Sequence, residues 1–127
     1  MAKKSTKMTK IGWKRLIIQK MTEAGTYDEV FDPVIDTLAD ILIERDRVYE
    51  QYIKEGSSPL VRVVSDRGQE NMRKNPLLTT WQELIKDALA YWRDLGLTPA
   101  GLKKINEDAM KATEVSALDK ILSNLES

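Results

Sequence analysis

The stretch Lys74–Ile105, KNPLLTTWQELIKDALAYWRDLGLTPAGLKKI, decides the fold. It reads as a long amphipathic helix, a glycine stop, and a second helix restarted at Thr98-Pro99. Asn75 suits the cap of the first helix, and Pro76 suits its first position, where no backbone N–H is needed. Leu78, Trp81, Leu84, Ile85, Ala88, Trp92 and Leu95 recur at helical spacing. Gly96 fits the left-handed residue that ends a helix. Thr98 then caps, Pro99 begins the next helix, and Leu102, Ile105 and Ala109 share one side of it. A helix from Pro76 to Leu95 is ~30 Å long. Its large aromatics make it the keel of the fold, because they bury the most area.

Upstream, the pattern predicts two more helices and a hairpin. Thr9 caps a helix over Lys10–Ala24, which Gly25 ends. Asp32 as a cap and Pro33 as a first-turn residue open a helix to about Lys54, ~33 Å long. Its stripe is Ile35, Leu38, Leu42, Tyr49 and Tyr52, with Val34, Ile41 and Val48 alongside. That second row, at seven-residue spacing, is open to two readings, burial within one subunit or, together with Trp81 and Trp92, a face for a neighbouring subunit. The β-branched run Leu60–Val64, the turn signal Asp66-Arg67-Gly68 and a return over Glu70–Arg73 predict a small hairpin near 60–73. Such a hairpin is marginal alone, so it needs helices or another chain. At the other end, Ser116 is the expected cap of a last helix carrying Leu118, Ile121, Leu122 and Leu125.

The expected architecture is therefore mainly α. A long antiparallel helix pair is joined by the hairpin and flanked by shorter helices. Residues 1–8 form a basic flexible tail, 9–113 the helical core, and 114–127 a C-terminal helix. One domain of 127 residues is long enough for a real core.

Composition narrows the chemistry. There is no Cys, hence no disulfide framework or thiolate site, and no His, the commonest general base near neutral pH. No apolar run is long enough to span a bilayer, and the basic start is not followed by a signal-peptide core. The glycines form no phosphate-binding loop. Asp28, Asp32, Asp36, Asp40 and Glu44 recur every four residues. That spacing makes a solvated acidic stripe rather than a metal site, since hard-metal sites draw oxygens from several segments. The reading is of a non-enzyme without metal or cofactor. A small Mg²⁺ nuclease built on the stripe would be needed to reverse it.

Zero net charge hides an asymmetry. Residues 1–22 carry Lys3, Lys4, Lys7, Lys10, Lys14, Arg15 and Lys20, and no acid. A second basic group, Arg62, Arg67, Arg73 and Lys74, lies on or beside the hairpin. Both are candidate phosphate-contacting groups. The order helix–Gly25–helix is that of a helix-turn-helix, but the second helix is acidic and unsuited to a major groove.

The basic extended turn, Asn-Pro, long helix and LGLTPAGLKKI together resemble the small subunits of tailed-phage terminases. The likeness extends over about residues 31–105 and is greatest to members with Leu-Gly-Leu-Thr-Pro after the central helix. Many members have an Arg soon after Thr-Pro, where this chain has Gly101, Leu102 and Lys103. No role for that Arg is carried over. The resemblance implies a regulator that binds double-stranded viral DNA at the packaging site. It also implies recruitment of the large ATPase and nuclease subunit, assembly as a homo-oligomeric ring, and action in the host cytoplasm without a membrane. The alternative is a structural oligomer with no DNA role, such as a virion connector or adaptor.

Overall fold

A computed structural model describes residues 7–125. It contains α1 (Lys10–Ala24), a 3₁₀ turn (Glu29–Phe31), α2 (Asp32–Lys54), β1 (Leu60–Val64), β2 (Glu70–Lys74), α3 (Pro76–Asp94) and α4 (Pro99–Leu125). The chain is mainly α, with one two-stranded antiparallel sheet between its two long helices, as its sequence pattern predicts. The tail expected over residues 1–8 lies mostly outside the described residues.

Local chemistry sets most boundaries. The Thr9 hydroxyl accepts from Gly12 N at 3.0 Å and opens α1. Gly25, at φ +76°, closes it. Asn75 Oδ1 accepts from Leu77 N at 3.0 Å and opens α3 after an extended turn. Thr98 Oγ1 accepts from Gly101 N at 3.1 Å and opens α4.

Two boundaries depart from the sequence reading. Asp32 is the first residue of α2 rather than its cap, and Phe31 precedes the helix with no side-chain cap. The Asp32 carboxylate instead accepts from the Tyr27 hydroxyl at 3.1 Å, while Asp28 caps the 3₁₀ turn. Nor does a new helix start at Ser116, because α4 is continuous from Pro99 to Leu125. Its middle holds Ala109, Met110, Lys111, Ala112 and Ala117, good helix formers, and no Gly or Pro after Gly101.

The core lies where α1, α2 and α3 meet. Ile17 and Met21 of α1, Ile35, Leu38 and Leu42 of α2, and Ala88 of α3 form one buried cluster with Leu95. Trp13, Val34, Ile41, Tyr91 and Trp92 pack around it. Tyr49 near the end of α2 stacks on Trp81 near the start of α3, with ring centroids 5.1 Å apart. That contact fixes the pair as antiparallel.

The α3–α4 corner is tight. Gly96 has φ +76°, and a Cβ there would stand 2.8 Å from Ile105 Cδ1. At Gly101 a Cβ would stand 2.0 Å from the Arg93 carbonyl oxygen, so only glycine lets α4 pass so close to α3. Thr26 donates to the Leu95 carbonyl at 3.1 Å and ties the α1–α2 connection to this corner. Beyond it α4 leaves the body. Every residue from Asn106 to Leu125 is exposed, including Met110, Val115, Leu118, Ile121, Leu122 and Leu125.

Candidate nucleic-acid interface

The two basic groups sit on different supports. The α1 group lies along α2, with its apolar side, Ile17 and Met21, fully buried. Lys7 pairs with Glu50. Lys10 Nζ lies 3.0 Å from Asp40 and 3.1 Å from Asp36, and Lys14 Nζ lies 3.2 Å from Asp36. Partners fall along α2 as positions rise along α1, so the two helices run antiparallel. Lys20 pairs with Glu23 one turn on, at 3.3 Å. Arg15 has no ion-pair partner among the described residues. Lys3 and Lys4 lie outside the described residues.

The pairing moves the titrations in the expected directions. Hydrogen bonds from Lys10 and then Lys14 hold the Asp36 carboxyl below its ordinary range. Hydrogen bonds to Asp40 and then Asp36 raise the Lys10 ammonium. Both shifts favour the charged forms of Lys10 and Asp36. The acidic stripe read from the sequence is thus divided among local roles. Asp28 caps, Asp32 meets Tyr27, Asp36 and Asp40 meet lysines, and Glu44 meets Arg47 at 3.2 Å. Among the described residues no group of three or more acids gathers as a metal site.

The hairpin group stands on a more exposed support. β1 and β2 pair from Leu60↔Lys74 to Val64↔Glu70, and only Val61 and Val63 are half-buried. Gly68, at φ +79°, turns the chain between the strands. The base of the hairpin is locked by Asn75, only 5 % exposed. Its Nδ2 donates to the Ser58 carbonyl at 3.0 Å, and its backbone N–H donates to the Pro59 carbonyl at 2.8 Å. One residue therefore both caps α3 and clamps the strand entry.

On this support Arg62 pairs with Glu70 at 2.6 Å across the strands, and Lys74 donates to Gln82 on α3. Arg67 in the turn and Arg73 opposite Val61 have no ion-pair partner among the described residues. Lys86, which sequence reasoning passed over, lines a shallow depression with Lys74, Thr79, Gln82 and Glu83. In the sequence it stands four residues after Gln82, and only the structure ties that face of α3 to Lys74.

The residues expected to face a neighbouring subunit are buried or half-buried in the single chain. Val48 is buried, Val34, Ile41 and Trp92 pack on the core, and Trp81 is half-buried beneath Tyr49. Exposed large apolar residues gather on the outer half of α4, at Met110, Val115, Leu118, Ile121, Leu122 and Leu125.

A family model, that of the phage terminase small subunit, matches residues 10–112, from the start of α1 into the middle of α4. The chain belongs to the phage terminase small subunit family. Membership ties it to phage packaging. Comparisons with curated proteins and with solved structures gave no match. Among the described residues of this terminase small subunit, no helix is long and apolar enough to cross a membrane.

Proposed function

We propose that this chain acts as the DNA-binding component of the packaging machine. In this reading it contacts double-stranded viral DNA, recruits or regulates the large ATPase and nuclease subunit, and catalyses nothing itself in the host cytoplasm. The observation that carries the reading is the exposed hairpin. It presents Arg67 and Arg73, neither with an ion-pair partner among the described residues, on a base clamped by Asn75. Arginine suits this place because its planar fork meets phosphate oxygens bidentately and stays charged at any physiological pH. Arg15, Lys86 and the lysines of residues 1–8 extend the contact without reading sequence.

Self-association completes the reading. Two or three phosphate contacts per chain bind weakly at physiological salt, and a ring multiplies them. The outer half of α4 supports it. A helix of this length carrying Val115, Leu118, Leu122 and Leu125 at alternating three- and four-residue spacing needs a covering surface.

The test combines light scattering after size exclusion with anisotropy titrations of a labelled duplex at several salt concentrations. A closed multimer with saturable binding that weakens steeply as salt rises is the expected result. A closed multimer without such binding would favour the structural connector or adaptor.

A further inference from the structure

Lys10, Lys14, Asp36 and Asp40 form a network in which each member of the central pair is shared. Lys10 bridges two carboxylates, at 3.1 and 3.0 Å, and Asp36 bridges two ammonium groups, at 3.1 and 3.2 Å. The network is not what docks α1, because Ile17 and Met21, both fully buried, already seat the helix on α2. Nor do the acids gain from standing one turn apart, where like charges repel unless cations lie between them. All four side chains are between about a third and two thirds exposed, so solvent and other ions reach every partner. Carboxylate and phosphate oxygens are alternative acceptors for the same ammonium groups.

We infer that Asp36 and Asp40 hold the cationic face of α1 in a self-inhibited state, and that DNA phosphates compete with these two carboxylates for Lys10 and Lys14. The inference rests on the DNA-binding reading above. It adds that α1 contributes little to affinity until its lysines are released. Two consequences follow from charge alone. Exchange of a carboxylate for a phosphate leaves an unpaired acid facing the DNA, which opposes binding. A partner surface that supplies cations to Asp36 and Asp40 would therefore strengthen DNA binding without touching DNA.

The experiment uses the full chain and a labelled duplex of about thirty base pairs, with affinity read across a salt series. Asp36→Asn plus Asp40→Asn is compared with the wild type and with Asp108→Asn plus Asp119→Asn. The second pair makes the same charge change on α4, where neither acid has an ion-pair partner among the described residues. The expected gain for the first pair is about fivefold to tenfold near 0.1 M salt, with a log–log salt slope steeper by about two. The control pair should stay within about twofold, at the wild-type slope. Lys10→Ala plus Lys14→Ala introduced into the first variant should cancel its gain. Asp40→Asn alone should give an intermediate gain, because Asp36 still holds Lys14. A gain equal to that of the control, or one that survives loss of the lysines, would overturn the inference while leaving the DNA-binding reading intact. If wild type and every variant fail to bind duplex even at low salt, the DNA-binding reading falls, and this inference with it.

Discussion

Helix α1 and the β-hairpin are both basic, yet they present charge differently. On α1 and just before it, Lys7, Lys10, Lys14 and Lys20 each have a carboxylate partner, and Arg15 alone among the cations described there has none. On the hairpin, Arg62 is paired, and Arg67 and Arg73 have no ion-pair partner among the described residues. The difference comes from what lies beneath. Asp36, Asp40 and Glu50 of α2 lie beside the lysines of α1 and of the residues just before it, whereas the hairpin, at the end of the helix pair, has Glu70 on its strands and Asp66 in its turn. A count of lysines and arginines along the chain therefore overstates the charge that α1 offers to a polyanion and understates the share of the hairpin.

The largest effect expected from this contrast is on the hairpin. Arg67→Glu plus Arg73→Glu should weaken duplex binding by about a hundredfold near 0.1 M salt. The melting temperature should stay near that of the wild type, because neither side chain is buried or ion-paired. Binding within about threefold of the wild type would break the contrast.

Next in size is the support itself. Asn75→Ala removes the α3 cap and the clamp on Ser58 together, and should cost about 2 kcal/mol of stability. Thermal or urea unfolding measures that loss. The same variant should lose DNA affinity even well below its melting temperature, since the arginines lose their fixed platform. A variant destabilised as expected but unchanged in affinity would show that hairpin position is irrelevant to binding.

Smaller still is the expected effect on α1. Lys10→Ala plus Lys14→Ala in the wild-type background should lower affinity by no more than about threefold, because both lysines are already engaged. A tenfold loss would place α1 on equal terms with the hairpin.

The smallest effect is on pH dependence. The depressed carboxyl of Asp36 contributes stability that is present above its unfolded value of 3.8 and is lost as pH falls through the folded one. The raised ammonium of Lys10 contributes stability present below its unfolded value of 10.5 and lost as pH climbs through the folded one. Melting of the wild type minus that of Asp36→Asn should therefore be flat between about pH 5 and 9. The difference should shrink below about pH 4. A difference that changes near pH 6–7 would mean that another group governs this contact.

Much of the fold was legible because its signals are local. Thr9, Asn75 and Thr98 cap the helices that their types and positions announce, and Gly25 and Gly96 end helices in the left-handed conformation. The hairpin was equally readable from a β-branched run and an Asp-Arg-Gly turn. The exceptions also have local causes. Asp32 met a nearby tyrosine instead of capping, and a run of good helix formers carried α4 past Ser116 without a break. The candidate site was less legible. Lys10 and Asp36 are separated by 26 positions, and only the antiparallel packing of α1 on α2 brings them together. Packing of α2 on α3 likewise half-buries Trp81 against Tyr49, while α4 leaves the body at the α3–α4 corner with its leucines outside.

The most direct test of the central claim is the salt dependence of duplex binding for two alanine pairs side by side, Arg67→Ala/Arg73→Ala and Lys10→Ala/Lys14→Ala. The account predicts that the hairpin pair flattens the log–log slope by about 1.8 per chain, and that the α1 pair changes it by less than about half of that. Equal flattening by both pairs, or greater flattening by the α1 pair, would contradict it.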